Sequence, residues 1–286
     1  MAPSLFVVAT PIGNLEDVTL RALRVLKAVD AILAEDTRRT SKLLAHYAIR
    51  KPLVSVREHN EQRETPRAIA RLARGESLAL VTDAGTPGIA DPGTRLVRAV
   101  REAGYLVVPI PGPSAVTAAL SVAGFAADEF VFMGFPPPTG AARTDWMNRL
   151  TLEPRTVVFF EAPHRIKAAL GHISELNPGR ELIICREITK LHETITYIAD
   201  SVHGKIELSA KGEFVVVVGP ATEFVATGDL ATSVVDMFGR LHKLAGLAES
   251  MSASLVAHTF SIQPSRVLNL VRKHNIMVKR QNGSSP

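Results

Sequence analysis

The stretch LALVTDAGTPGIADPGTRLVRA, Leu78–Ala99, starts as an apolar run, breaks into a Gly- and Pro-rich turn carrying Asp83 and Asp91, and resumes with apolar residues at helical spacing. Strand, long turn and helix in that order open a βα unit of a parallel sheet. Glycine leaves backbone amides uncovered, so a turn of this composition at a strand end is a place where a ligand can meet the main chain. Asp91, directly before Pro92, has a second reading as the cap of the following helix.

The same alternation extends outward from this stretch. SLFVVA, DAILAE, PLVSV, SLALVT and LVVPI read as strands, and VTLRALRVLKAV, TRRTSKLLAHY, TPRAIARLARG and GTRLVRAVREAG between them read as helices. Residues 1–124 are therefore expected to form an α/β domain around a mostly parallel sheet. After the small-residue joint SVAGFAADEF (Ser121–Phe130), strands FVFMGF, RTVVFFEA, ELIICRE, HETITYIA and GEFVVVVG follow one another more closely, which predicts a mixed α+β domain over 125–222. From Asp229 to His274 the spacing turns helical, making 223–286 a helical appendix. Within it ASLVAHTFSIQPSRVLNLVRK places apolar residues on both sides of Pro264, as a helix-turn-helix or a helical hairpin does. The tail KRQNGSSP has nothing apolar to bury and is expected to be mobile.

Composition narrows the function classes. With 286 residues, 46% hydrophobic and 21% charged, the chain has the make-up of a globular protein, and no apolar run reaches membrane length. Its start, MAPSLFVVATPIGN, reads as strand and loop rather than export signal. One cysteine, Cys185, cannot form an internal disulfide and fits a cytoplasmic location. A net charge of +5 and a pI near 9.5 favour a polyanionic partner such as RNA or DNA.

Three Gly- and Pro-rich loops follow predicted strands: ATPIGN (Ala9–Asn14), TDAGTPGIADPG (Thr82–Gly93) and PGPSA (Pro111–Ala115). Neither a dinucleotide fingerprint nor a Walker loop is present, and apart from Arg95 the loops are poor in cations. A ligand held by backbone groups and by Asp83 and Asp91, with a positive centre of its own, suits them better than a triphosphate. The nine histidines lack metal-ligand spacing, and no G-x-S-x-G elbow occurs, so no metal is expected. Cys185, in LIICRE, reads as a strand filler. REHNEQRE (Arg57–Glu64) presents His59, Asn60 and Glu61 together at a helix start, either to orient a hydroxyl and take its proton or simply to suit the helix dipole. AEDTRRTSKLL places Asp36 and Arg38 at another strand end, while EAPHR and REITKLHE supply His164, Arg165, Arg186 and Lys190.

Taken in order, VATPIGNLEDVTLRAL, AEDTRRTSKLL, EHNEQ, LVTDAGTPGIADPGTRLVRA, VPIPGPSAVTAAL, GFPP, FFEAPHRI, REITKLHE and GEFVVVV resemble the motif series of the ribosomal RNA small subunit methyltransferase I family, in the tetrapyrrole methylase-like group of S-adenosylmethionine-dependent methyltransferases. The resemblance covers about residues 4 to 219. It implies a two-domain α/β fold with the methyl donor in the cleft between domains, a homodimer, and methylation of the ribose 2′-hydroxyl of a cytidine in small-subunit ribosomal RNA, free or in the assembled subunit. By motif match Pro11, Asp83, Gly85, Thr86, Pro87, Ile89, Pro111, Gly112, Ser114 and Ala115 would line the donor pocket, with Met133, Phe160 and Glu161 from the second domain. On that reading Glu61 or His59 is the base and Asn60 and Asp36 position the ribose. Arg38, Arg165, Lys190, Arg266, Arg272 and Lys273 would then contact RNA phosphate. One departure is the loop FPPPTGAARTDW (Phe135–Trp146), where Arg143 alone stands for the family's basic loop. The alternatives are a methylase of a small tetrapyrrole or of a protein side chain, and an RNA-binding protein without catalysis.

Overall fold

A computed structural model describes residues 2–176, 180–199, 209, 211–221, 230–260 and 262–281. The first sheet contains β1 (Ser4–Val8), β2 (Ala31–Ala34), β3 (Leu53–Ser55), β4 (Leu78–Val81) and β5 (Leu106–Ile110), all parallel, in the order β3-β2-β4-β1-β5. Every residue of β2 and β4 is buried. That is the mark of strands covered on both faces, and it explains why AILA and LALV are unbroken apolar runs rather than alternating ones. Helices α1 (Leu20–Ala28), α2 (Thr37–His46), α3 (Glu61–Ala73) and α4 (Thr94–Glu102) provide the cover. They form two apolar clusters, one around Val8, Leu26 and Ile32, the other around Leu5, Leu72 and Leu96. The first two helices start on side-chain caps: Thr19 accepts the Ala22 amide and Asp36 the Arg38 amide.

The second sheet, β6 (Phe130–Phe132), β7 (Thr156–Glu161), β8 (Leu182–Arg186), β9 (Thr194–Ile198) and β10 (Phe214–Val218), has the order β6-β7-β10-β8-β9 and is mixed. β6 runs parallel to β7, and the other pairs are antiparallel. Helix α5 (Ala115–Ala123) leaves the first sheet and packs Val116, Ala119 and Ala123 against Val158, Ile183 and Val217 of the second, so one helix joins the two layers. The opposite face is filled by α6 (Gly140–Leu152) and α7 (Ile166–Leu176) around Trp146, Phe159 and Ile166. Arg180 is buried there as a staple, its guanidinium donating to the carbonyls of Gly219, Leu150, Glu153 and Arg155. Removal from water pushes its pKa down to about 10.

At the C-terminal end α8 (Leu230–Gly239), a π-helical turn at Arg240–Leu244, α9 (Glu249–Thr259) and α10 (Pro264–Gln281) gather around Val234, Phe238, Val256 and Val267. Pro264 stands at the first helical position, where its missing N–H costs nothing. The tail expected to be mobile is helical as far as Gln281, because α10 carries on two turns past Lys273. Residues 282–286 lie outside the described residues.

Candidate active site

The site lies at the C-terminal ends of the first sheet's strands, where β1 stands between β4 and β5 and the chain changes direction across the sheet. The first two loops are tied together: Thr10 and Gly85 exchange both backbone hydrogen bonds, at 2.9 and 3.0 Å. Between Gly85 and Gly93 the backbone takes positive φ at four positions, Gly85 (80°), Gly88 (81°), Ala90 (60°) and Gly93 (122°). The turn therefore doubles back over the strand ends. At Gly93 a Cβ would stand 2.7 Å from Leu80 Cδ2, so glycine is required there by packing as well as by φ. Ala90 tolerates the left-handed region at a cost of order 1 kcal/mol, a strain that recurs at functional turns.

This turn forms one wall of a cavity of about 370 Å³, with Ser114 and Ala115 from the third loop. The facing wall comes from the second sheet and its loops, notably Phe135, Phe160, Glu161, Ile188 and Glu213. The two walls are clasped at one edge. The Asn14 amide donates to Thr189 Oγ1 at 3.1 Å, and Glu187 and Thr189 hold positive φ in that turn.

Among the described residues, five carboxylates line the cavity, those of Glu35, Asp83, Asp91, Glu161 and Glu213, against the single cation Arg39. Asp83 Oδ1 accepts the Asp36 amide at 2.9 Å, and its Oδ2 lies 3.5 Å from Arg39 Nε. Glu35 Oε2 accepts the Asp83 amide, and burial, reinforced by the Asp83 charge, raises the Glu35 pKa. Burial and the Glu35 carboxylate push Asp91 up to about 6. Glu161 is wholly buried, with Arg165 Nε 2.8 Å and Arg143 Nη2 3.2 Å from its oxygens. The Arg165 contact is ionic, its N–H pointing away from the hydrogen-bond axis. The same two guanidiniums donate to Pro137 O and Pro136 O. They thus hold the loop that sets Phe135 beside Phe160, ring centroids 5.2 Å apart.

Of the donor-pocket residues expected from sequence, Asp83, Gly85, Thr86, Ile89, Ser114, Ala115, Phe160 and Glu161 line this cavity. Pro11, Pro87, Pro111, Gly112 and Met133 do not: Gly112 is closed against Ala9, and the Met133 carbonyl accepts the Trp146 indole. The expected catalytic group is dispersed. Glu61 is buried with Oε1 on the Leu96 amide at 2.9 Å, where it caps α4. That is the cap expected from Asp91, whose own hydroxyl partner is Thr82. Asn60 ties its loop by accepting the Arg57 amide and donating to Ser55 O. His59 is exposed and outside the cavity wall, and Asp36 caps α2 while pairing with Arg38 at 2.6 Å.

Among the cations proposed for RNA, Arg165 turns inward to Glu161, and Lys190 is shared between Glu187 and Glu213 at 3.0 and 2.8 Å. Arg143, the one cation in the Phe135–Trp146 loop, is also spent on Glu161. Arg38, Arg266 and Arg272 face solvent, while the Lys273 side chain lies outside the described residues. Asp91, read from sequence as either a ligand-holding carboxylate or a cap, lines the wall; Glu35, Phe135 and Glu213 complete it without having been singled out, and Glu35 stands beside Asp36 at a strand end, the one signal that marked it.

A cavity with exposed turn backbone, an aromatic pair and a surplus of carboxylates fits a cationic nucleoside such as S-adenosylmethionine. Residues 4–199 match the family model described as Tetrapyrrole (Corrin/Porphyrin) Methylases. The chain is 47% identical over 230 residues to "Ribosomal RNA small subunit methyltransferase I" of Xylella fastidiosa, covering 77% of this chain and 82% of that one. To the protein of the same name from Neisseria meningitidis serogroup A it is 48% identical over 227 residues, 77% of each chain. Its fold matches that of uroporphyrin-III C-methyl transferase from Thermus thermophilus complexed with S-adenyl homocysteine, with a TM-score of 0.53 at 20% identity over 76% of this chain and 97% of that one. The chain belongs to the tetrapyrrole methylase family and, within it, to the ribosomal RNA small subunit methyltransferase I group of S-adenosylmethionine-dependent methyltransferases.

Proposed function

We propose that the chain methylates the ribose 2′-hydroxyl of a cytidine in small-subunit ribosomal RNA, as a cytoplasmic homodimer built from units 1–124, 125–222 and 223–286. The observation that carries the substrate is the 47% identity, over 77% of the chain, to a relative named for small-subunit ribosomal RNA methylation. Net charge +5 and solvent-facing Arg38, Arg266 and Arg272 support a polyanionic partner.

S-adenosylmethionine, consumed once per turnover, supplies an electrophilic methyl on a sulfonium centre. The chain's share of the work is positioning, since an in-line displacement gains most from holding the reacting atoms aligned. Main-chain groups of Gly85, Thr86, Ser114 and Ala115 are placed to hold the donor, with Asp83 and Glu35 offering negative charge to its cationic parts. Phe160 and Phe135 offer ring faces to a base. Closure of the cavity by the second sheet keeps water from the methyl group.

The experiment is transfer of labelled methyl from S-adenosylmethionine to small ribosomal subunits from cells lacking this enzyme. Label in a single cytidine resistant to alkaline cleavage supports the reading; label confined to a tetrapyrrole acceptor, or none at all in the subunit, overturns it. RNA affinity should fall steeply between about 50 and 200 mM salt.

A further inference from the structure

We propose that Asp91 accepts the proton of the acceptor hydroxyl during methyl transfer, an inference that rests on the functional reading above. The other four cavity carboxylates are engaged. Asp83 holds the Asp36 amide and faces Arg39. Glu161 is clamped between Arg143 and Arg165. Glu213 pairs with Lys190, and Glu35 accepts the Asp83 amide within the fields of Arg39 and Arg57. Asp91 has the Thr82 hydroxyl as partner, and among the described residues no Lys or Arg lies within ion-pair distance of it.

Its placement is built by the backbone. Ala90, immediately before it, sits at φ 60° between two positive-φ glycines, and Ala90 and Asp91 both line the cavity. The charged groups facing it are Glu35 at the end of β2, Asp83 in its own turn and Arg39 from α2. Across the cavity stand Glu161 with its two arginines and Glu213 with Lys190; among the described residues no histidine lines the wall. Burial first, and then its carboxylate neighbours, make Asp91 more basic than a free aspartate, with a pKa of about 6, yet it is ionised at neutral pH. That combination suits a general base.

The balance is complete. The hydroxyl's O–H bond breaks and its proton ends on an Asp91 oxygen. The oxygen's electron pair forms the new carbon–oxygen bond, and the pair of the breaking carbon–sulfur bond remains on sulfur, which leaves neutral. Asp91, now a carboxylic acid, returns its proton to solvent after product departs.

The test uses the full-length enzyme with unmodified small ribosomal subunits under single-turnover conditions. Asp91→Asn is expected to slow transfer ~10²–10⁴-fold, the range for a lost general base. Its donor Kd, measured by calorimetry, stays within about threefold, and the acidic limb of the wild-type rate profile near pH 6 disappears. Asp91→Glu recovers part of the rate. In the enzyme without donor, a carbon-13 carboxyl resonance assigned to Asp91 should titrate near pH 6. Retention of the rate within tenfold, survival of the acidic limb, loss of donor affinity beyond tenfold, or a titration near pH 4 each overturns the proposal. If wild type modifies the subunit and Asp91→Asn does so equally, the inference alone falls; if wild type does not modify it, the functional reading falls and carries the inference with it.

Discussion

Glu61 reaches across from the start of α3 to accept the amide of Leu96, 2.9 Å away in the first turn of α4. Gly93, at the cap position of α4, has no side chain to offer, so Glu61, 35 positions before Leu96, does the capping. Both Glu61 and Leu96 are buried, and removing the carboxylate leaves an amide without a partner. Glu61→Ala should therefore lower stability by about 1–2 kcal/mol in urea unfolding. Single-turnover methyl transfer per folded molecule should remain unchanged. A loss of rate beyond tenfold at full folding would return Glu61 to the chemistry.

Gly13 meets the second half of the molecule more closely than any side chain permits. A Cβ there would lie 2.5 Å from Lys190 Cγ, 2.6 Å from Thr189 Oγ1 and 2.9 Å from Ile188 O. The lysine stem can swing aside, but the carbonyl belongs to a turn already held at positive φ by Glu187 and Thr189. Gly13→Ala should open the clasp and cost about 1–3 kcal/mol, with weaker donor binding by calorimetry because Ile12 and Ile188 line opposite sides of the cavity. Unaltered affinity in a fully folded variant would mean that the clasp is not coupled to the site.

Phe135 is 54% exposed at the cavity mouth, three residues past the end of β6 and directly before three prolines. The Arg143–Glu161–Arg165 clamp holds it there through the Pro136 and Pro137 carbonyls. An exposed ring kept in place in this way offers a stacking face worth roughly 1–3 kcal/mol per base. Phe135→Ala should raise either the donor Kd or the KM for ribosomal subunits by about tenfold, and the two measurements tell which base stacks. No change in either would show that the ring only shields the cavity.

The two sheets were legible because each depends on a pattern the chain states locally. AILA and LALV announce buried parallel strands, and GEFVVVVG announces a strand, which the structure sets as β10 between two antiparallel neighbours. The turn at Gly85–Gly93 was legible for the same reason, since positive φ asks for glycine. Partnerships made across the fold were not. Nothing in REHNEQRE shows that Glu61 will face an amide of α4, and EAPHR does not reveal that Arg165 turns inward rather than toward RNA. Asp91 before Pro92 reads in sequence both as a ligand-holding carboxylate and as a cap; the structure places it in the cavity wall, next to the left-handed Ala90.

Asp91 also leaves a signature in stability. Its pKa rises from the ordinary 3.8 to about 6 on folding, through burial first and the Glu35 charge second. Between about pH 4 and pH 6 the folded protein thus binds more protons at this residue than the unfolded chain, so stability falls as pH climbs through that window and is level above it. Two pKa units correspond to at most ~3 kcal/mol, and partial solvent access reduces that to about 1–2 kcal/mol. Asp91→Asn removes the titration while keeping the shape, so relative to wild type it should gain about 1–2 kcal/mol between pH 4 and pH 8. Glu35, raised for a similar reason, titrates in both proteins, so comparing the two urea-unfolding series reports Asp91 together with its coupling to Glu35. Parallel curves across that range would mean Asp91 ionises as freely in the fold as outside it, and would deprive the proton-acceptor assignment of its electrostatic basis.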